Sequence, residues 1–296
     1  MSKTLEEIRQ EIDAIDNQVH DLLMARAALV HSVASAKKKE GLQIVQPARE
    51  ARMVRRLLSR HSGPLPQATV VRIWRELVGA VALLQTGLSV AVAAVENGSG
   101  IAGSNIYWDM AKNYFGSVVP MKKINGSANA ISALREDKCS FAVLPWPELE
   151  EKAPWWVHLF GQRGDERISI ICALPYGAEK QDSSGIKERA LVLSKIAFMP
   201  SDDDISFIGL EVSADVSRAA IIDKVHGAGL KILNFYSTPI THHEGFNLHF
   251  IEVKGYLTEE SEALLDLGTA LGDVCEYCAV LGGYPAMQEL ERTKIG

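Results

Sequence analysis

The chain has 296 residues, 47% hydrophobic and 23% charged, with a formal net charge of −6. That balance excludes a disordered chain and leaves room for two or three domains. No stretch approaches the roughly 18–20 apolar residues of a membrane span, and MSKTLEEIRQE has no apolar signal core, so a cytoplasmic protein with no membrane partner is expected. Residues 1–90 carry 13 lysines and arginines against 9 acids, and the remainder carries 18 against 28. A basic module on an acidic protein points to an anionic ligand for that module. The excess is too small and too interleaved with acids for nucleic acid.

From Thr4 to Glu40 there is neither glycine nor proline, and Ile8, Ile12, Ile15, Val19 and Leu22 recur at helical spacing. The pattern predicts one helix of about 36 residues, ~54 Å long at 1.5 Å per residue. Its own small domain cannot cover such a helix, so a second copy is the expected partner. A second helix starts at Pro47, a favoured first-turn residue, and runs to about His61. SGPLP is a loop, and a third helix runs from about Gln67 to Gln85.

After Gly87 the pattern changes. LSVAVAAV, SVVPMKK, SFAVLPW and RISIICALP read as strands, with helices after the glycine-rich NGSGIAGSN and after Ser127; together they predict a small α/β lobe. A polar linker, AEKQDSSGIKER, follows. Then LVLSKIAFMP, LKILNFYSTPI, FNLHFIEVKGYL and VCEYCAVLGGYP read as strands and SADVSRAAIIDKVHGAG and EESEALLDLGTALG as helices. Their order is βαββαβ, the ferredoxin-like arrangement. Cys275-Glu-Tyr-Cys278 is a lone CxxC with no second pair at zinc spacing, and His242-His243 reads as loop polarity, so no metal is expected.

The chemistry concentrates in the helical segment. Lys37 follows Arg26 by 11 residues and falls within about 20° of the same face, whereas Arg9 is about 100° away from it. In a swapped dimer, Arg9 of a second copy could reach that face. QPAREARMVRR adds Arg49 and Glu50, and the third helix adds Gln85. Fixed cations can clamp a dianion, and an ammonium with an amide can stabilise an oxygen that gains charge. No Ser/His/Asp or Cys/His set accompanies them.

On these residues the segment 4–86 resembles the all-helical chorismate mutase domain that opens bifunctional chorismate mutase–prephenate dehydratases. The carriers are LEEIRQEIDAIDNQVHDLLMARAALVHSVASAKK, the REA of PAREARMV, and RIWRELVGAVALLQ. The resemblance implies a swapped homodimer in which each long helix serves both sites. It implies chorismate as substrate, with Arg26 and the second copy's Arg9 on its two carboxylates, Lys37 and Gln85 on the ether oxygen, and Glu50 on the ring hydroxyl with Arg49 beside it. Gln46 stands where that family often has an acid, and Val81 where it often has a serine or other small polar residue; both bear on substrate affinity. The implied reaction, chorismate to prephenate, is pericyclic and needs no cofactor.

The last 107 residues resemble the ACT domain that ends prephenate dehydratases. Its ligand segments would fall at Val216-Ser217-Arg218 and at Tyr236-Ser237-Thr238-Pro239, and both have diverged. An amino-acid effector bound by Ser217, Arg218, Tyr236 and Ser237, or a dimer-stabilising role alone, both stay open. The middle segment resembles part of a prephenate dehydratase catalytic domain. It lacks the family's catalytic threonine in RISIICALP and has Pro147-Glu148-Leu149 in place of the Pro-x-Glu-Asn run, which implies a degenerate linker. The expected architecture is therefore multidomain: an all-α three-helix chorismate mutase domain (1–87), a degenerate α/β lobe (88–177) and a βαββαβ ACT-like domain (190–296). The expected function is chorismate mutase. The alternatives are a bifunctional enzyme that keeps dehydratase activity, or a non-catalytic amino-acid-binding regulator.

Overall fold

The computed structural model describes residues 3–30, 32, 43, 45–94, 102–149, 151, 153–162, 164, 167–179, 188–240, 243–286 and 288–291. Helix α1 spans Leu5–Ala28. Thr4 closes its start with a capping box: Thr4 Oγ1 accepts from the Glu7 N–H at 3.2 Å, and the Glu7 carboxylate accepts from the Thr4 N–H at 2.7 Å. No residue of α1 is buried. Ile8, Ile12, Ile15 and Val19 stand 42–57% exposed, an apolar stripe that no described residue of the single chain covers. Of the expected continuation to Glu40, Leu29, Val30 and Ser32 are described, the last two of them helical; Lys37 lies outside the described residues.

Helix α2 (Pro47–Ser59) starts on the proline that fixes its first turn. Helix α3 (Gln67–Thr86) stops at Gly87, which takes the left-handed conformation (φ +61°) that glycine adopts without penalty. Two arginines of QPAREARMVRR bind backbone far along the chain. Arg55 donates to the carbonyls of Ser201 and, at 3.0 Å, of Asp203, and Arg52 donates to Pro200 O at 3.2 Å. Part of the positive charge in that stretch thus fastens α2 to the loop at 200–204.

The strands and helices that follow are β1 (Val90–Ala94), α4 (Ala102–Phe115), β2 (Met121–Asn125), α5 (Ser127–Arg135), β3 (Phe141–Pro145), a 3₁₀ turn (Trp155–Leu159), β4 (Ser169–Leu174), β5 (Gly177–Glu179) and β6 (Ala190–Ser194). Then come β7 (Asp204–Ser213), α6 (Arg218–Gly227), β8 (Ile232–Pro239), β9 (Phe246–Lys254), α7 (Glu262–Leu271), β10 (Cys275–Pro285) and β11 (Gln288–Leu290). Among the described residues one sheet takes nine strands in the order β2-β1-β3-β6-β4-β10-β7-β9-β8, and β5 pairs with β11 apart from it.

One strand assignment changes. LVLSKIAFMP was expected to open the βαββαβ unit, but β6 lies antiparallel between β3 and β4, inside the α/β lobe. All five residues of β6 are buried, and a continuous apolar run suits the middle of a sheet covered on both faces. The βαββαβ unit opens instead with β7, whose DISFIGLEVS the sequence reading passed over. The acids of SDDD before it and Gly209 within it hide its strand character. Gly209 is there because a Cβ would come within 2.7 Å of Leu281 and 2.9 Å of Phe160.

Lobe and βαββαβ unit meet at a narrow seam. β4 and β10 pair in parallel at Ile170 and Gly282, where β10 is bulged. Gly282 has φ +108°, and a Cβ on it would lie 2.2 Å from Ile170 O, so the junction needs glycine. The core bridges the seam: Trp155 and Trp156 pack on Phe250, with the Trp156 ring stacked at 5.3 Å, and Phe207 stacks on Phe250 at 4.5 Å.

Helix α3 rides directly on the end of α4. A Cβ at Gly79 would stand 1.7 Å from the Phe115 carbonyl oxygen. Replacing Gly79 by alanine is expected to destabilise the fold by about 1–3 kcal/mol or more in a denaturant titration. Gly227→Ala, with no neighbour within 4 Å of the new methyl, is expected to be neutral or mildly stabilising.

Candidate active site

The helical segment is organised around a buried cation. Arg75 of α3 is 3% exposed. Its Nη2 donates to Glu50 Oε2 of α2 at 2.7 Å, and its Nε donates to the Tyr114 carbonyl at the end of α4 at 2.9 Å. The guanidinium also lies 3.9 Å above the Tyr114 ring and 5.4 Å from that of Tyr176. Burial works against its charge, but Tyr114, Glu50 and the neighbouring groups more than offset it and hold its pKa above the ordinary value. The same burial pushes the adjacent Cys172 thiol up to about 12, so it is inert near neutral pH.

The expected mutase residues fall as follows. Glu50 is in the first turn of α2, one carboxylate oxygen held by Arg75. Arg49, beside it, is exposed. Gln46 is the residue before that helix; it is half-buried and makes no capping hydrogen bond, so its amide is not tied to the helix start. Gln85 of α3 donates through Nε2 to the Val30 carbonyl at 3.2 Å, which ties the end of α3 to the chain just after α1. Val81, one turn before Gln85, is half-buried. Arg26 is half-buried in the last turn of α1, about 6 Å along the helix axis from Val30. Arg26 and Gln85 are thereby brought to the same end of α1 and α3, whereas Glu50 meets α3 at Arg75, about 15 Å along the helix axis from Gln85. Arg9 is exposed and lies 17 residues back from Arg26, about 26 Å along the axis, so within one chain it stands apart from the set.

Arg75 is the residue the sequence reading missed. Its signal was a charge at a position where α3 is otherwise apolar, among Val71, Gly79 and Ala82, all buried. A lone arginine on a buried helical face needs a partner acid, and Glu50 is that acid.

In the βαββαβ unit, the expected effector residues separate. Ser217 caps α6, accepting from the Ala220 N–H at 3.2 Å. Arg218 donates to the Phe235 carbonyl at 3.3 Å and lies 4.7 Å over its ring. Ser237 meets His249 Nδ1 at 2.7 Å, and the His249 ring lies against Phe235, so Arg218, Ser237 and His249 surround one aromatic side chain. Tyr236, between them in β8, faces the other side, where its hydroxyl accepts from Trp146 Nε1 at 3.0 Å. His243 pairs with Glu211 at 2.7 Å and stacks on Phe246; His242 lies outside the described residues. Burial raises the thiols of Cys275 and Cys278, the latter to about 12, which disfavours thiolate chemistry at neutral pH.

Comparison with known proteins places a family on the first segment: residues 8–86 match the family model described as Chorismate mutase type II. The chain therefore carries a chorismate mutase type II domain at its N-terminal end. A similar curated protein is the bifunctional chorismate mutase/prephenate dehydratase of Aquifex aeolicus, 35% identical over 91 residues, which are 29% of this chain and 25% of that one. The chain thus spans about a quarter of the length of the curated relative it matches. Two solved structures resemble a larger share of the chain. A structure described as GqqA, a novel type of quorum quenching acylases, covers 67% of this chain and 95% of its own at 16% identity and TM-score 0.47. The prephenate dehydratase from Streptococcus mutans covers 68% and 100% at 15% identity and TM-score 0.46. Among the described residues, no helix is long and apolar enough to cross a membrane.

The buried His249 supplies a pH test of the βαββαβ unit. Burial, and secondarily the Arg218 charge, lowers its pKa from 6.5 to about 4. The unfolded chain takes up a proton near pH 6.5 while the folded one stays neutral, so stability is full above that pH and is lost as pH falls towards 4. The loss is expected to reach on the order of 3 kcal/mol. Thermal melts between pH 7 and 4 should show it, and His249→Gln should flatten that slope.

Proposed function

We propose that the chain is a chorismate mutase that works as a homodimer, converting chorismate to prephenate by holding the substrate in its reactive conformation and stabilising charge on the breaking C–O bond. The observation that carries this reading is the match of residues 8–86 to the mutase family, with Gln85 of α3 bonded to Val30 just past Arg26 and Glu50 of α2 held by Arg75. In the rearrangement one C–O bond breaks and one C–C bond forms within a single molecule, with no proton transferred and no nucleophile. A site of cations, one acid and one amide suits that demand. Arg26 would take one carboxylate, Lys37 and Gln85 the ether oxygen, and Glu50 the ring hydroxyl, with Arg49 beside it. Arg75 acts as a positioning residue: it holds Glu50 Oε2 and leaves Oε1 for the substrate.

The second carboxylate needs Arg9, and Arg9 comes from a second copy. Two features support this: the roughly 26 Å that separate Arg9 from Arg26 along α1, and the exposed stripe of Ile8, Ile12, Ile15 and Val19 on the same helix. Swapped α1 helices would cover the stripe and complete the clamp together. The α/β lobe serves as a degenerate dehydratase-like linker. The βαββαβ unit is read as an ACT domain, with Arg218 and Ser237 as the residues placed to meet an amino-acid effector. The runner-up, a bifunctional enzyme with live dehydratase chemistry, is the activity of the Aquifex aeolicus relative by its name.

The test is chorismate consumption by the purified protein, with phenylpyruvate assayed before and after an acid step. Loss of chorismate with phenylpyruvate only after acid is the expected result; phenylpyruvate without acid would establish the bifunctional reading, and persistence of chorismate would refute both. Arg26→Ala is expected to lower kcat/KM by about 100-fold or more with an unchanged circular-dichroism spectrum. Full activity in that variant would remove Arg26 from the site.

A further inference from the structure

A cavity of about 320 Å³ lies where α3 meets the α/β lobe, outside the residues assigned above to chorismate. Its wall is made by Arg72 and Arg75 of α3, Asn113 and Met110 of α4, Tyr176 before β5, and Leu290 of β11. That size suits a small ligand. The wall combines two chemistries: guanidinium, amide and phenol groups, and thioether and aliphatic groups. No acid lines it among the described residues, and Glu50 offsets only one of the two guanidinium charges.

The polar groups have unmet hydrogen-bonding capacity. Arg75 is 3% exposed and Tyr176 6% exposed, and both line the cavity. Arg75 Nη1 and the Tyr176 hydroxyl are buried atoms with no hydrogen-bond partner among the described residues. Buried donors are nearly always satisfied, so two orphans beside one cavity call for an acceptor. A carboxylate, with two acceptor oxygens, can accept from Arg75 and the tyrosine at once and add a charge contact with Arg72, whose guanidinium is exposed. Leu290 and Met110 then call for an apolar body on that acid.

We propose that this cavity binds a small carboxylic acid with a compact apolar body, and that its occupancy is felt by Glu50 through Arg75. A carboxylate on Arg75 competes with Glu50 for the same guanidinium charge. Glu50 is then a freer acceptor for the substrate. This second half rests on the mutase reading. A hydroxyl contact made equally in ground and transition state changes KM and leaves kcat alone, so occupancy should lower KM for chorismate.

The experiment is a calorimetric titration of the full chain with benzoate and with benzamide, which share a shape and differ in charge. Benzoate is expected to bind at one site per chain, and benzamide about tenfold more weakly or worse. Arg72→Gln, a change at an exposed side chain, should weaken benzoate by about tenfold without altering the melting temperature. Leu290→Trp should abolish binding by filling the cavity; if that variant does not fold, Arg72→Gln and benzamide still decide. No benzoate binding below about 10 mM, or binding that Arg72→Gln leaves untouched, overturns the site. Binding of inorganic phosphate in place of benzoate, with the same sensitivity to Arg72→Gln, overturns the carboxylate assignment. Binding is read by heat, so it stands or falls whether or not the protein turns over chorismate. If chorismate is turned over and saturating benzoate leaves its KM unchanged, the coupling through Arg75 is refuted.

Discussion

The buried guanidinium of Arg75 is the contact on which the arrangement of the helical segment depends. Taking a charge out of water is costly unless every donor and the charge itself are answered. Here a carboxylate from α2 answers Nη2, a main-chain carbonyl at the end of α4 answers Nε, and the Tyr114 and Tyr176 rings flank the charge, while Nη1 has no partner among the described residues. The end of a helix is a natural place for a cation, because the unpaired carbonyls there carry partial negative charge. Close by, Glu76 accepts from the Ser117 N–H and hydroxyl just past that end, and Gly79 lets α3 touch the backbone at the end of α4. α3 therefore grips the lobe over about one turn, and α2 is held to α3 by the same arginine.

That grip sets which surfaces remain. With α3 committed to the lobe and α2 fastened to the loop at 200–204 by Arg52 and Arg55, α1 keeps its apolar stripe uncovered. The chain thus has one helical face bound to its own lobe and one suited to another molecule. The pocket proposed at the first of these and the proposed substrate contact at Glu50 share a single ion pair, Arg75–Glu50, which is the route by which one would act on the other.

Legibility from sequence follows local rules closely. The start of α1 at Thr4, Pro47 opening α2 and Gly87 closing α3 are each set by a residue whose side chain or φ decides the matter locally. The exposed stripe on α1 was legible because periodicity at 3.6 residues needs no tertiary knowledge. β6 and β7 were misread for the opposite reason. An apolar run such as ALVLS can join any sheet, and its neighbours are chosen by the rest of the chain; β7 carries an acid at its start and Gly209 inside, and only the packing of Leu281 and Phe160 explains that glycine. Of the candidate residues, Glu50 and Gln85 were identifiable by pattern, but their contacts with Arg75 and Val30 were not, since both contacts cross between elements.

By itself the sequence determined the helical segment with its capping and its periodic apolar face, the alternation of strands and helices after Gly87, and the set of charged residue types at family spacing. These depend on backbone conformation and on periodicity, which act over a few residues. Only the tertiary structure decided that β6 sits in the lobe, that a glycine bulge at Gly282 joins two parts of one sheet, that Tyr236 turns away from Arg218 and Ser237, and that Arg75 bridges Glu50 to the lobe. Each of these is a choice of neighbour made by residues far apart in the chain. Burial energy selects among such neighbours only when the whole core closes, so no local stretch of sequence contains the answer.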